Sequence, residues 1–264
     1  MDNGSDPRAE TSRGGAKRLV RRKDRSKTSD GHRLVPEGDG RAIAAAARTG
    51  KVPKIIAALQ AAYGRPAPGD RKDPLSELIF TILSQHTSDL NRDRAWASLW
   101  KSFPTWEAII AAPRAKVESA IRVGGLARTK SGVIQQTLAT VRSEQGSCTL
   151  DALKVMSMEQ VEAYLKRLKG VGLKTIRCVQ VFSLGQPAFP VDTHIFRISK
   201  RLGLVPEKAG PESAHRIMGA LTPAAEVLPF HMNLITLGRR VCKPARPLCG
   251  QCVLVRLCPY PRSR

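Results

Sequence analysis

From about residue 50 onward, apolar residues recur at helical spacing and alternating strand patterns are scarce. Leu75, Leu78, Ile79, Ile82 and Leu83 follow the i, i+3, i+4, i+7, i+8 rule of a single buried helix face. Asp73-Pro74 ahead of them supplies a capping carboxylate and then a proline at the first helical position, where its missing N–H costs nothing. Ser157 and Gln160 form a capping-box pattern before Val161, Leu165 and Leu168. The same reasoning predicts helices over about 51–63, 89–101, 113–121, 128–145, 173–184, 192–203, 210–220 and 224–239. The fold class is therefore all-α, without an internal repeat of fixed period. Trp96 and Trp100 share one helical face, which reads as packing together with Trp106.

A chain of 264 residues supports one or two domains. Its 42% hydrophobic and 25% charged residues are those of an ordinary globular protein. No run approaches the roughly 18 apolar residues of a membrane helix, so no membrane partner is expected. Charge changes the picture more. Lys and Arg number 44 against 22 Asp and Glu, a net +22 that points to a polyanion. Aromatic residues are only 5%, too few for a surface that stacks on single-stranded bases, so duplex backbone is the better match.

Residues 1–45 read as a disordered basic arm: between Arg13 and Lys27 eight basic side chains face one acid, Asp24. The arm is suited either to solubility or to weak, sequence-independent attraction to DNA. Residues 1–41 hold 11 basic and 7 acidic residues, so +18 lies beyond them. Met1 to Glu10 is polar and lacks the apolar stretch of a signal peptide, and four of the six cysteines crowd between Cys242 and Cys258. Both features suggest a reducing, cytoplasmic setting and a metal site in place of disulfides.

Three segments carry candidate chemistry. In Leu168-Lys169-Gly170-Val171-Gly172-Leu173-Lys174-Thr175, two glycines between amphipathic helices allow a tight turn whose amides, with the first turn of the next helix, suit a phosphate. In Phe189-Pro190-Val191-Asp192-Thr193-His194-Ile195-Phe196-Arg197, Pro190 halts the chain and Asp192 stands as an N-cap that can also face a cavity, while His194 suits a bond within the helix junction. The third is Cys242-x6-Cys249-x2-Cys252-x5-Cys258. Four thiolates suit zinc, although zinc ribbons pair two short Cys hairpins and only the middle pair here is close. They equally suit a 4Fe-4S cluster. Cys148 and Cys178 stand apart and read as small buried residues.

Taken together, these motifs, in this order and spacing, resemble endonuclease III of the helix-hairpin-helix DNA glycosylase superfamily over roughly residues 50 to 260. The resemblance implies two helical domains with a cleft between them. A six-helix barrel with the helix-hairpin-helix would occupy 71–185, and an iron-sulfur cluster domain would combine 46–70 with 186–264. It implies one 4Fe-4S cluster on Cys242, Cys249, Cys252 and Cys258, with Lys243, Arg246 and Arg256 near enough to reach phosphates. It also implies a monomer acting on double-stranded DNA that holds a damaged base or an abasic site.

By the same resemblance, Lys174 attacks the sugar C1′ and Asp192 assists. The activity is that of a bifunctional glycosylase and AP lyase excising oxidised pyrimidines. Alternatives are a cluster-bearing DNA-binding protein with weak or no activity, or a relative preferring mismatches or a modified cytosine. Gly170, Gly172, Thr175 and His194 are expected at the DNA. So are two wedges that fill the hole left by an extruded nucleotide: His86, with Gln85 beside it, and Leu126 in Val123-Gly124-Gly125-Leu126. His86, where the family often has glutamine, and Leu173, where many relatives carry a basic residue, depart from the family pattern.

Overall fold

Capping side chains set where five of the helices described below start. The structure, a computed structural model, describes residues 35–262. Among them twelve α-helices follow in order: α1 Glu37–Arg48, α2 Lys51–Tyr63, α3 Pro74–Leu83, α4 Asp89–Ser102, α5 Trp106–Ala111, α6 Arg114–Ala120, α7 Ala127–Gln145, α8 Met158–Lys166, α9 Leu173–Cys178, α10 Thr193–Arg201, α11 Pro211–Leu221 and α12 Val227–Arg240. No strand occurs among the described residues, so the all-α expectation holds. The Asp73 carboxylate accepts from the N–H groups of Leu75 at 3.1 Å and Ser76 at 2.9 Å, opening α3. At α8 the capping box is complete: the Ser157 hydroxyl accepts from Gln160 N–H at 3.3 Å, and Gln160 Oε1 accepts from Ser157 N–H at 2.8 Å. No helix among the described residues is long and apolar enough to cross a membrane.

Two expectations need correction. The basic arm does not extend to residue 45, because residues 37–48 form α1; residues 1–34 lie outside the described residues. Asp39 is buried and ion-paired to Arg216 of α11 at 2.6 Å, while Ala42, Ile43 and Ala46 meet the apolar core. Two glycines and a charged start had masked the helix face that pairing reveals. The single helix expected over 173–184 is also divided. Beyond Cys178 the ladder widens into a π-turn over Val179–Ser183, marked by Leu184 N–H donating to the Val179 carbonyl at 3.1 Å.

The apolar residues gather into two clusters. One draws on α3 to α9 and is centred on residues such as Leu78, Ile82, Ile134, Leu138, Leu165 and Ile176. The other joins Ile55 and Leu59 of α2 to Phe189, Ile195, Ile217, Phe230 and Leu234. The π-turn is where the chain passes between them, since Val179 belongs to the first and Val181 to the second. Trp96, Trp100 and Trp106 pack edge-on or tilted against one another, with Trp96 on Phe80 at 5.4 Å, which fits their reading as packing residues. Across the two clusters, Asp89 at the start of α4 is ion-paired to Arg239 near the end of α12.

After the π-turn an irregular segment delivers Asp192 to the N-cap of α10. Two buried histidines hold it. His215 Nδ1 on α11 accepts the Val191 N–H at 3.2 Å and lies 3.1 Å from the Phe189 carbonyl oxygen. His231 Nδ1 on α12 donates to the Pro190 carbonyl at 3.0 Å. Burial pushes both imidazoles down to about 4, and for His231 the nearby Asp192 carboxylate partly opposes it.

A pH dependence follows from these histidines. Both are neutral in folded and unfolded chains above their ordinary value near 6.5, so they add no pH dependence there. Below it the unfolded chain takes up protons that the folded chain refuses until about 4, so stability falls as pH drops through this window. The expected loss is on the order of 3 kcal/mol per histidine, from ~1.4 kcal/mol per pH unit. Denaturant unfolding followed between pH 7 and 4 checks it, and His215→Gln and His231→Gln should each flatten the slope.

Candidate active site

The loop between α8 and α9 is a hairpin braced from behind. Arg177 of α9 is ion-paired to Glu162 of α8 at 2.8 Å, and Gln180 Nε2 donates to the Met158 carbonyl at 2.8 Å. Within the hairpin the two glycines differ. Gly170 stands at φ +81°, and a Cβ there would come within 2.9 Å of Val133, so backbone and packing each demand glycine. Gly172 has φ −93° and open space around it, so it is an exposed approach to the backbone and not a conformational necessity.

Lys174, half-buried, lies in the first turn of α9. One turn on, burial raises the Cys178 thiol; the Lys174 charge and hydrogen bond pull it down, and Glu77 and Asp192 push it up. Lys174 and Asp192 also both act on His231. The amine and carboxylate expected to work together thus share one electrostatic neighbourhood. Asp192 Oδ1 accepts from Ile195 N–H at 2.8 Å, which fixes the carboxylate as a cap while leaving its second oxygen free of that bond. Cys178 is buried, as read from the sequence, whereas Glu77 was not singled out there. Glu77 sits among the apolar residues of α3, and burial raises its carboxyl against the Thr81 hydroxyl, at 3.0 Å, and the charges of Lys72, Lys174 and Arg92. An acid on an otherwise apolar helix face was the available signal.

Among the described residues only His86, at φ 51°, and Leu126, at φ 50°, are non-glycine residues in the left-handed region, and they are the two expected wedges. Both are exposed, Leu126 by 56%. Their loops are neighbours, since a Cβ on Gly125 would lie 3.9 Å from the His86 carbonyl oxygen. The other expected DNA contacts fare differently. Thr175 is only 2% exposed and its hydroxyl receives Gln85 Nε2 at 3.5 Å, so these side chains tie the first loop to the hairpin from inside. His194 faces α12: its Cβ would lie 2.7 Å from a Cβ on Gly238, and its Nδ1 is 3.2 Å from Arg197 Nη2.

Past α12 the chain forms short turns that bring Cys242, Cys249, Cys252 and Cys258 to the wall of one small pocket, with Arg201 and Tyr260. All four thiols are free. Burial, then the charges of the other cysteines, raises Cys252 and Cys258. Among the described residues no three His, Cys, Asp or Glu side chains converge closely enough to grip a single ion; the thiols border a space instead. Two arginines of α10 organise it. Arg197 donates to the Cys242 carbonyl from Nε at 3.0 Å and Nη2 at 2.7 Å. Arg201 donates to Cys242 Sγ at 3.2 Å, to the carbonyls of Lys243 and Pro244 at 2.9 and 2.8 Å, and lies 4.3 Å over the Tyr260 ring. Lys243, Arg246 and Arg256 are exposed around the thiols.

With this geometry in place, comparison with known proteins is informative. Residues 79–224, more than half of the chain, match the HhH-GPD superfamily of base excision DNA repair proteins. A candidate DNA glycosylase of Arabidopsis thaliana is 38% identical over 166 residues, 63% of this chain and 56% of that protein, so the chain spans little more than half of that relative. Endonuclease III of Thermotoga maritima is 33% identical over 192 residues, 73% of this chain and 85% of that protein. The solved structure of a non-covalent endonuclease III–DNA complex superposes with a TM-score of 0.70 at 26% identity, covering 81% of this chain and 96% of the other. Motif, helix order and backbone agree: the chain belongs to the HhH-GPD superfamily of base excision DNA repair proteins and has the all-α fold of endonuclease III.

Proposed function

We propose that this protein is a bifunctional DNA glycosylase and AP lyase that removes damaged, oxidised pyrimidines from duplex DNA and then cuts the abasic strand. The observation that carries the reading is Lys174 beside the braced hairpin, in the same electrostatic neighbourhood as the anchored Asp192 carboxylate. An amine at this place makes covalent catalysis available, whereas a site built only to direct water would stop at the abasic sugar.

A free lysine is almost fully charged at neutral pH, so the reaction starts with loss of a proton from the amine. The neutral nitrogen forms a bond to C1′, and the C1′–base bond breaks with its electron pair leaving on the base, which takes up a proton. Asp192 stabilises the positive charge that develops on the sugar. Opening of the C1′–O4′ bond gives the Schiff base. Removal of a C2′ proton then expels the 3′ phosphate by β-elimination, and water releases Lys174. To present C1′ the enzyme swings the nucleotide out of the stack at a cost of a few kcal/mol, with His86 and Leu126 placed to fill the hole. The net +22 and the exposed Lys243, Arg246 and Arg256 fit a polyphosphate backbone.

Four free thiols lining one pocket, of which only Cys249 and Cys252 form the short pair that zinc ribbons use twice, fit a 4Fe-4S cluster better than one zinc. When bound, such a cluster supplies a rigid anchor and no redox step. The loop needs one, because from Cys242 to Cys258 its sole buried apolar residue is Leu254.

Wild-type protein is expected to be trapped covalently on abasic DNA by borohydride, since only a Schiff base is reducible, and Lys174→Gln should give no adduct; adduct formation by that variant would assign the amine elsewhere. Asp192→Asn keeps a capping side chain, so it should fold and bind DNA but turn over slower by on the order of a hundredfold. Full activity would reduce Asp192 to a cap. Purified protein should contain about four iron and four sulfide per chain; a single zinc would overturn the cluster assignment.

A further inference from the structure

Lys130 on α7 is only 2% exposed, and its ammonium donates to two main-chain carbonyls: Leu83 at 2.7 Å and Gly124 at 2.8 Å. Leu83 is the last residue of α3, whose terminal carbonyls have no partner within the helix and carry the negative end of its dipole. Gly124 closes the turn that precedes Leu126. The two carbonyls therefore lie three residues before His86 and two before Leu126. Burial alone pushes the amine down to about 8, and both of its hydrogen-bond partners are uncharged. A charge buried in this way is costly, and an apolar side chain would fill the space more cheaply.

What the buried ammonium holds is strained. His86 and Leu126 each occupy a left-handed conformation that costs about 1–2 kcal/mol for a side-chain-bearing residue and persists only where surrounding contacts over-determine it. Both strained residues point an exposed side chain from loops that touch, and one amine bonds the stem of each loop.

We infer that Lys130 is a positioning residue that sets the separation of His86 and Leu126, so that the two enter the base stack as a matched pair when a nucleotide is extruded. The inference rests on the function proposed above. Without the clamp, the carbonyls of Leu83 and Gly124 lose their partner and the loops part, while Lys174 and Asp192, held by the hairpin and by α10, stay in place. The consequence falls on extrusion and spares the chemistry.

Lys130→Met and Lys130→Gln separate the two. The measurement is the single-turnover rate of borohydride-trapped adduct on an abasic site facing a base in a fully paired duplex, and on the same abasic nucleotide in a single strand. The variants should lose on the order of tenfold to a hundredfold on the duplex, the scale of a misplacement of about 1 Å, and stay within about twofold of wild type on the single strand. Equal losses on both substrates, or none on the duplex, would overturn the clamp. So would failure of both variants to fold, which would make Lys130 a folding requirement only. If wild-type protein traps neither substrate, the proposed function itself falls and takes the clamp with it, an outcome distinct from any variant-specific result.

Discussion

The structure depends on keeping one irregular stretch of backbone still. Between the π-turn at 179–183 and the start of α10 the chain leaves one apolar cluster, enters the other and must present Asp192 at a fixed point. It has no helical ladder of its own there. Its polar groups are met by neutral imidazoles from α11 and α12, and its end by the cap bond to Ile195. Short backbone bonds at Gln186 and Ala188 and the Gln186 amide on the Met156 carbonyl hold its first half, and the part next to Asp192 is rigid while α11 and α12 stay packed. The position of Asp192 therefore depends on the second apolar cluster as a whole.

α10 extends the same constraint to the cysteine loop. Asp192 caps its first turn, and Arg197 and Arg201 leave its later turns to grip the carbonyl and sulfur of Cys242. One rigid rod of nine residues thus links the carboxylate at one end to the thiol loop at the other. A loop so poor in buried apolar residues is held by polar bonds from this rod and by whatever its thiols bind. The ion pair of Asp89 with Arg239 makes a similar link from the start of α4 to α12.

Four buried titratable groups lie near the hairpin and Asp192. Glu77, Lys130, His215 and His231 are all nearly inaccessible, and burial drives each away from its ordinary titration range. Each costs stability that apolar substitutes would not. They cluster around the hairpin, the His86 and Leu126 loops and the segment before Asp192, whereas the hearts of both apolar clusters are conventional aliphatic packing. Strain follows the same distribution: among the described residues the two left-handed non-glycine residues are His86 and Leu126.

Local rules determined much of this from the sequence alone. Helices α3 and α8 start at the expected caps because capping is a contact between residues two or three apart, and the all-α class follows from apolar periodicity. The Gly-x-Gly turn, the cap at Asp192 and the crowding of four cysteines were legible for the same reason: each is written within a few consecutive residues. Tertiary structure decided the rest. α1 is a helix because Asp39 finds Arg216 some 180 positions away, and Thr175 faces inward because Gln85 reaches it from another loop. The widening of α9, the pairing of Glu77 with the Lys174 neighbourhood and the grip of Lys130 on two carbonyls all arise where distant segments converge. Periodicity and propensity are properties of neighbours along the chain, whereas burial, and with it the direction of a side chain and its charge state, is set by whichever segments happen to close over it.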